Sequence, residues 1–191
     1  MKAVKQLVLA TGIGILGIVV FIYSGAFNIA ADDPHWTFTV KLLGALRDRS
    51  VEVRSNAMRL PDLSNETSIR LGAGNYDAMC TACHLRPSVE ESELSVGLYP
   101  KPPPWRELGK VDPQEAFWII KHGIKMSGMP AWGKSMSDEH IWNIVAFLPK
   151  LPELTPDAYR KLVASSEGHK HDGGETEPHH HMKCDDGTAS C

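Results

Sequence analysis

The stretch Cys80-Thr81-Ala82-Cys83-His84 decides how the rest of this 191-residue sequence is interpreted. Its two cysteines are three positions apart, and a histidine follows the second one directly. Chance would give about 0.004 copies of this pattern in a chain with this content of cysteine and histidine. The motif therefore indicates a chemical site.

Covalent attachment of a c-type haem explains this motif best. In such an attachment the thiols of Cys80 and Cys83 add to the haem vinyl groups, and His84 lies beneath the iron as the proximal ligand. A thioredoxin-like thiol pair would need a βαβ pattern, which the sequence lacks. A zinc site would need two further ligands, for which His122 and His140 are candidates. We predict one covalent haem c.

A haem iron that only carries electrons needs a second axial ligand. A methionine thioether in that position raises the reduction potential. Candidates after the attachment motif are Met126, Met129 and Met136, and the nitrogen alternatives are His122 and His140.

From the attachment motif to Gly128-Met129-Pro130-Ala131-Trp132 and the helical pattern after it, the sequence resembles bacterial class I cytochromes c of the membrane-anchored monohaem type. The resemblance covers about residues 66–152. It implies an all-α, cytochrome c-like small helical domain around one covalent haem, with Met129 as the distal ligand. It also places at Pro87 the carbonyl that orients the proximal imidazole. We further expect Trp132 and Arg106 to contact the haem propionates.

The helical pattern of residues 66–154 agrees with this fold class. One helix runs through Ile69 towards Cys80, and three others begin at Asp112-Pro113, at Ser137 and at Thr155-Pro156, where the residue types are those of helix N-caps. The proline-rich stretch 100–105 is expected to be an extended loop. So small a helical domain usually needs a staple such as a cofactor.

The N-terminal residues predict a membrane anchor over 1–31, with the span at about 7–28. No charged residue occurs between Gln6 and Ala31, and a bilayer core needs about 20 helical residues. Lys2 and Lys5 precede the apolar block and Asp32 follows it, which places the rest of the chain outside the cytoplasm. The alternative is a secretory signal cleaved near Ser24-Gly25-Ala26. Either way, in a bacterium the haem domain lies in the periplasm, and the anchor would hold it at the inner membrane.

Residues 32–65 are predicted to form a stem helix and linker. Trp36, Val40, Leu43 and Leu46 recur at helical spacing, and Pro61 breaks the pattern. The arginines of this stem, Arg47, Arg49 and Arg54, could contact anionic lipid or a partner, although a solvated helix face is the commoner outcome.

Residues 155–191 are predicted to be a short helix followed by a disordered tail, because large apolar residues disappear after Val163. Imidazole, thioether and thiolate groups of the tail suit copper or zinc, and its candidate ligands are His179, His180, His181, Met182 and Cys184. Their spacing matches no closed zinc site.

Function follows from the ligands expected at the iron. A six-coordinate iron has no open site for substrate, so we expect an electron carrier and not an enzyme. Its partners would be redox proteins of the respiratory chain or a dehydrogenase, and the lipid bilayer through the N-terminal helix. With a net charge of −3, nucleic acid is not an expected partner. The alternatives are the electron-accepting subunit of a periplasmic dehydrogenase complex and a metal-handling protein that acts through its tail.

Overall fold

The computed structural model describes residues 1–166, and this part of the chain is all-helical. It divides into two compact units, the first of which is Met1–Lys41 and the second of which begins at Leu42. The first unit holds helix α1 (Lys2–Tyr23) and the start of helix α2 (Thr37–Ser55). Helix α1 has no buried residue and is long and apolar enough to cross a membrane.

The second unit holds the end of α2 and the remaining helices, which are joined by loops and by two 3₁₀ turns. The α-helices are α3 (Glu66–Met79), α4 (Thr81–His84), α5 (Glu93–Gly97), α6 (Trp105–Leu108), α7 (Pro113–His122), α8 (Asp138–Phe147) and α9 (Pro156–Ala164). The 3₁₀ turns are Trp132–Lys134 and Leu151–Glu153. No strand forms between residues 1 and 166.

Side-chain caps fix where the longer helices begin. The Asp112 carboxylate accepts hydrogen bonds from the backbone N–H groups of Gln114 and Glu115 at the start of α7. Ser137 and Thr155 cap α8 and α9 in the same way. Such caps satisfy N–H groups that have no partner inside the helix. The predicted starts of these three helices are confirmed.

Two short helices were not predicted. Helix α5 has five residues and α6 has four, which is too short for a helical repeat of apolar residues to be visible. The proline-rich loop is extended only as far as Pro104, because Trp105 is already the first residue of α6.

The core forms where α3 packs against α8 and α9, and where α7 packs against α8. A Cβ atom built on Gly72 of α3 would lie 1.9 Å from the carbonyl oxygen of Asn143 in α8, so only glycine allows this approach. Next to this crossing Tyr76 and Phe147 are fully buried, with ring centroids 5.6 Å apart. Helix α3 is thereby held firmly up to the cysteine motif that follows it.

The end of helix α2 is buried on one side. Val51 and Ser55 are buried, whereas the apolar series Trp36, Val40, Leu43 and Leu46 is exposed. The side-chain amide nitrogen of Gln114, Nε2, donates to the carbonyl oxygen of Met58, just after the helix. The predicted stem helix is therefore present, but it is buried only at its C-terminal end and not at the apolar positions that led to its prediction.

Candidate functional site

The cysteine motif forms one helical turn at the end of α3. Cys80 caps both α3 and α4, and its carbonyl oxygen accepts hydrogen bonds from the backbone N–H groups of Cys83 at 3.2 Å and His84 at 2.8 Å. Leu85 ends the turn with a φ of 67°. Its carbonyl oxygen accepts a hydrogen bond of 2.8 Å from the buried Tyr76 hydroxyl. Both thiols and the imidazole are thus presented from a single fixed turn.

The His84 imidazole forms a hydrogen bond with the proline-rich loop. Its Nδ1 lies 2.8 Å from the carbonyl oxygen of Pro103, which can only accept a hydrogen bond. Nδ1 therefore carries the proton, and the Nε2 lone pair is left for a metal. Burial lowers the pKa of His84, which favours the neutral, ligating form. The prediction that the Pro87 carbonyl orients this ring is wrong, because the Pro103 carbonyl does so.

The two thiols of the motif are not bonded to each other. Burial, together with the nearby Cys83, raises the pKa of Cys80 to about 12, and burial also raises the pKa of Cys83. Thiols that work as nucleophilic redox pairs have a lowered pKa. The environment of these two cysteines therefore argues against a thioredoxin-like pair, as does the absence of a βαβ unit among residues 1–166.

The loop after α7 positions Met129. Gly123 ends the helix with a φ of 65°, and a Cβ atom there would lie 2.7 Å from the Met129 carbonyl oxygen. The Ser127 hydroxyl accepts a hydrogen bond of 3.2 Å from the Met129 N–H and donates one of 2.8 Å to the Ile124 carbonyl. Further along, Gly128 packs directly on Leu98. These contacts give the methionine loop a defined shape.

Cys80, Cys83, His84 and Met129 all line one cavity of about 710 Å³. Much of its wall is apolar, with Ile119 and Ile120 from α7, Ile144 and Leu148 from α8, and the prolines of residues 102–104. Cofactor sites are typically apolar hollows of about 300–1,000 Å³ with a few placed polar groups. The residues present therefore fit a haem that is held through sulfur and nitrogen.

The other ligand candidates lie away from this cavity. Met126 is exposed, with a φ of 58°, and Met136 is buried in the core. The His122 ring lies tilted against Trp118, with centroids 4.9 Å apart, while His140 Nδ1 lies 2.7 Å from the Ser137 hydroxyl at the cap of α8. Neither histidine is grouped with the cysteines, and no cluster of three or more histidine, cysteine or acidic residues able to hold a metal occurs among the described residues. The zinc alternative therefore has no support.

A comparison with protein families gives one match that agrees with this geometry. Residues 67–148 match the family model described as "Cytochrome C oxidase, cbb3-type, subunit III". Residues 67–148 are a class I-type monohaem cytochrome c domain. The predictions of fold class and of covalently bound haem c are thereby confirmed. No curated protein and no solved structure is similar enough to the chain to count as a match.

A cytochrome c domain of this kind is an electron carrier and not a catalytic enzyme, and it transfers electrons through its haem. The match ends before Pro149 and starts inside α3. Helices α1 and α2 therefore lie outside the cytochrome c domain, and the match says nothing about a membrane anchor.

Only one of the two residues predicted to contact the propionates, Trp132 and Arg106, lines the cavity. Trp132 lines the cavity of the cytochrome c domain. Arg106 does not: its guanidinium pairs with the Glu90 carboxylate at 2.8 Å and lies over the Trp105 ring, 4.4 Å from the centroid. One further methionine, Met79, also lines the cavity, directly before Cys80 in the chain.

Sequence reasoning missed two contributions to the cavity of the cytochrome c domain. The first is the Pro103 carbonyl, which lies 19 positions from the histidine it orients. The second comes from helix α2, whose Arg47 and Asp48 line the same cavity. Arg47, Asp48, Val51 and Ser55 share one helix face by their spacing, but nothing in the sequence indicates what that face covers.

The proposed tail ligands His179, His180, His181, Met182 and Cys184 lie outside the described residues. Their binding of copper or zinc stays a prediction.

Proposed function

We propose that this protein is a membrane-tethered cytochrome c that passes single electrons between redox proteins through a haem ligated by His84 and Met129. One observation carries the proposal: Cys80, Cys83, His84 and Met129 line the same cavity. The other candidates named from the sequence, Met126, Met136, His122 and His140, do not line this cavity, whereas Met79, directly before Cys80, does.

Each of these residues has a specific task. Cys80 and Cys83 would hold the haem through thioether bonds, which keep it from leaving a small domain. His84 supplies Nε2 as the proximal ligand, because the Pro103 carbonyl fixes the proton on Nδ1. Met129 would supply sulfur as the second ligand, and its loop is shaped by Ser127 and Gly123.

The bound haem supplies one-electron exchange at its iron. The chain's own residues keep water away with Ile119, Ile120, Ile144 and Leu148 on the cavity wall. A thioether ligand and an apolar surrounding both favour the ferrous state and so raise the reduction potential. With both His84 and Met129 as ligands, the iron would have no site left for a substrate.

Replacing Met129 tests the ligand assignment. In full-length holoprotein, Met129→Ala should abolish the sulfur-to-iron charge-transfer band. At a fixed applied potential, the ratio of reduced to oxidised protein should fall at least about tenfold, because a thioether ligand raises the potential. Absorption spectra and a redox titration measure both effects.

Two variants serve as controls for this experiment. Met126→Ala removes an exposed methionine three residues earlier, and Met79→Ala removes a methionine that lines the cavity together with Met129. Both should keep the band. A band that survives in Met129→Ala, or disappears in Met79→Ala alone, would overturn the assignment of Met129.

Helix α1 supports the proposed tether. It runs from Lys2 to Tyr23 without an acidic residue, and Lys2 and Lys5 at its start favour a cytoplasmic N-terminus. A cleaved signal sequence would pass the same test of length and composition. Intact mass of the mature protein from the membrane fraction distinguishes the two: the tether requires residues 1–26 to be present and the protein to resist an alkaline carbonate wash. A washable protein that starts at Phe27 would exclude the tether.

The surface near Met129 supports docking of acidic redox partners. Lys125 and Lys134 are exposed on either side of the methionine loop. Lys121, which is close to them in sequence, instead pairs with Asp138 at 2.7 Å, so its charge is compensated. Two exposed lysines can steer a partner electrostatically, and tethering to a membrane raises the local concentration of both proteins.

A second candidate function is that of a cytochrome subunit in an oxidoreductase complex. The matching family model is named for a subunit of a cbb3-type oxidase, and this observation favours the candidate. Extraction in a mild detergent separates the two functions. Co-purification of a catalytic protein in fixed stoichiometry would favour the subunit, and a monomer that still carries haem would favour the free carrier.

A further inference from the structure

The C-terminal half of helix α2 is part of the wall of the haem cavity. Val51 is 4% exposed and Ser55 is 1% exposed, and the carbonyl of Met58 accepts a hydrogen bond from the Gln114 side chain of α7. The Gln114–Met58 hydrogen bond joins the chain just after the helix to α7 of the cytochrome c domain. One turn before Val51, Arg47 and Asp48 line the cavity.

The cavity presents few cations for a cofactor that brings two carboxylates of its own. Among the described residues, the cations that line it are Arg47 and Lys101, and the anions are Asp48, Glu107 and Glu115. Both cations are exposed: Lys101 lies within the proline-rich loop, and the Arg47 side chain, on helix α2, is 48% exposed. Arg47 differs from Lys101 because it lies on a helix and because its planar guanidinium suits carboxylates better than an ammonium does.

Asp48 orients the Arg47 guanidinium without using all of its donors. Nε of Arg47 donates to Oδ1 of Asp48 at 2.8 Å, and Nη2 lies 2.7 Å from the same oxygen. A guanidinium has five N–H donors in a fixed fork, so these two contacts leave further donors for a second carboxylate. Donors of Arg47 therefore remain for another anion.

We propose that Arg47 is a counter-charge for the haem propionates and raises the reduction potential of the haem. This inference rests on the proposed function, since it requires the haem to occupy the cavity. It assigns to helix α2, outside residues 67–148, a part in setting the potential. The physical reason is the sign of the charge: a nearby cation stabilises the iron more after it gains an electron.

Redox titration of full-length holoprotein tests the proposal with two neighbouring substitutions of opposite sign. At a fixed applied potential, Arg47→Gln should lower the ratio of reduced to oxidised protein about threefold, which is ~28 mV at 59 mV per tenfold. Asp48→Asn removes an anion and should shift the ratio in the opposite direction.

A matched control is available on the same helix. Arg49 and Glu52 form an ion pair at 2.9 Å and do not line the cavity. Arg49→Gln and Glu52→Gln remove the same charges and should leave the potential unchanged. A role of Arg47 in folding alone would not produce shifts of opposite sign at positions 47 and 48.

The outcomes separate this inference from the proposed function. Suppose that wild type and Arg47→Gln both carry covalent haem with the sulfur-to-iron band. If their reduction potentials are then equal, the role of Arg47 is overturned and the proposed function is not. Equal shifts in Arg47→Gln and Arg49→Gln would overturn it too. Wild-type protein without covalent haem would instead overturn the proposed function. If Arg47→Gln yields no holoprotein, Asp48→Asn tests the proposal. A ratio of reduced to oxidised Asp48→Asn that falls or does not change would contradict it.

Discussion

At the scale of single residues, the chemistry of the site could be predicted where it is local in sequence and not where it depends on a loop. The spacing of Cys80, Cys83 and His84 is fixed by one helical turn, so the pattern alone identified the haem attachment. The hydrogen-bond partner of His84 could not be found in this way. Pro103 reaches the imidazole through the fold of the proline-rich loop, and no local pattern favours it over Pro87.

The buried hydroxyl of Tyr76 is a residue-scale support for the cysteine motif. It donates to the carbonyl oxygen of Leu85, which ends the turn that carries His84. Tyr76→Phe leaves that carbonyl without its donor in a buried place, so the free energy of unfolding should fall by about 1–3 kcal/mol. Guanidinium denaturation of the holoprotein measures this change.

Tyr159→Phe is a useful comparison for this prediction. It also removes a buried hydroxyl, but one that donates to the carboxylate of Asp77, which accepts a second bond from Arg86. Tyr159→Phe should lower the free energy of unfolding less than Tyr76→Phe does, because Asp77 keeps Arg86 as a partner. An unfolding free energy of Tyr76→Phe equal to that of wild type would show that the hydroxyl does not support the turn.

At the scale of helices, the elements with caps could be predicted and the shortest ones could not. Asp112, Ser137 and Thr155 mark where α7, α8 and α9 begin, because their side chains bond to the first free N–H groups. Helices α5 and α6 are too short to show a repeat. Glycine is a poor helix former, so the glycines of α3 weaken the helical pattern at its start. In the structure, Gly72 allows the close contact of α3 with α8.

The crossing of α3 and α8 gives a prediction at this scale. Gly72→Ala would place a methyl group 1.9 Å from the Asn143 carbonyl oxygen, so the two helices must move apart. We expect a loss of about 1–3 kcal/mol in the free energy of unfolding, the usual cost of overpacking. Thermal unfolding followed by circular dichroism measures it.

The matched control for that prediction is Gly44→Ala. Gly44 is also inside a helix, α2, but a Cβ atom there meets nothing within 4 Å. Alanine favours the helix there by up to about 1 kcal/mol. Destabilisation of equal size at both positions would mean that helix packing is not what requires glycine at position 72.

At the scale of the whole molecule, the sequence predicted an anchor, a stem, a haem domain and a tail, with boundaries at 31, 65 and 154. The structure adds that the second compact unit already begins at Leu42. The end of α2 is buried at Val51 and Ser55, and the Gln114 side chain of α7 donates a hydrogen bond to the Met58 carbonyl just after it. The apolar residues Leu43 and Leu46, earlier in the same helix, are exposed, because periodicity marks a stripe without saying whether a partner covers it.

The cavity links the stability of the fold to its cofactor. A hollow of about 710 Å³ that is lined largely by apolar side chains exposes them to water when no haem covers them. Domains of this kind are stable by only about 5–15 kcal/mol. A Cys80→Ser/Cys83→Ser double variant, purified without haem, should therefore lose cooperative thermal unfolding, whereas wild type keeps its colour after acid–acetone extraction and unfolds in one transition. A colourless double variant that still melted sharply would mean that the helices pack without the haem, and that the cavity is filled by rearrangement of α7 and α8.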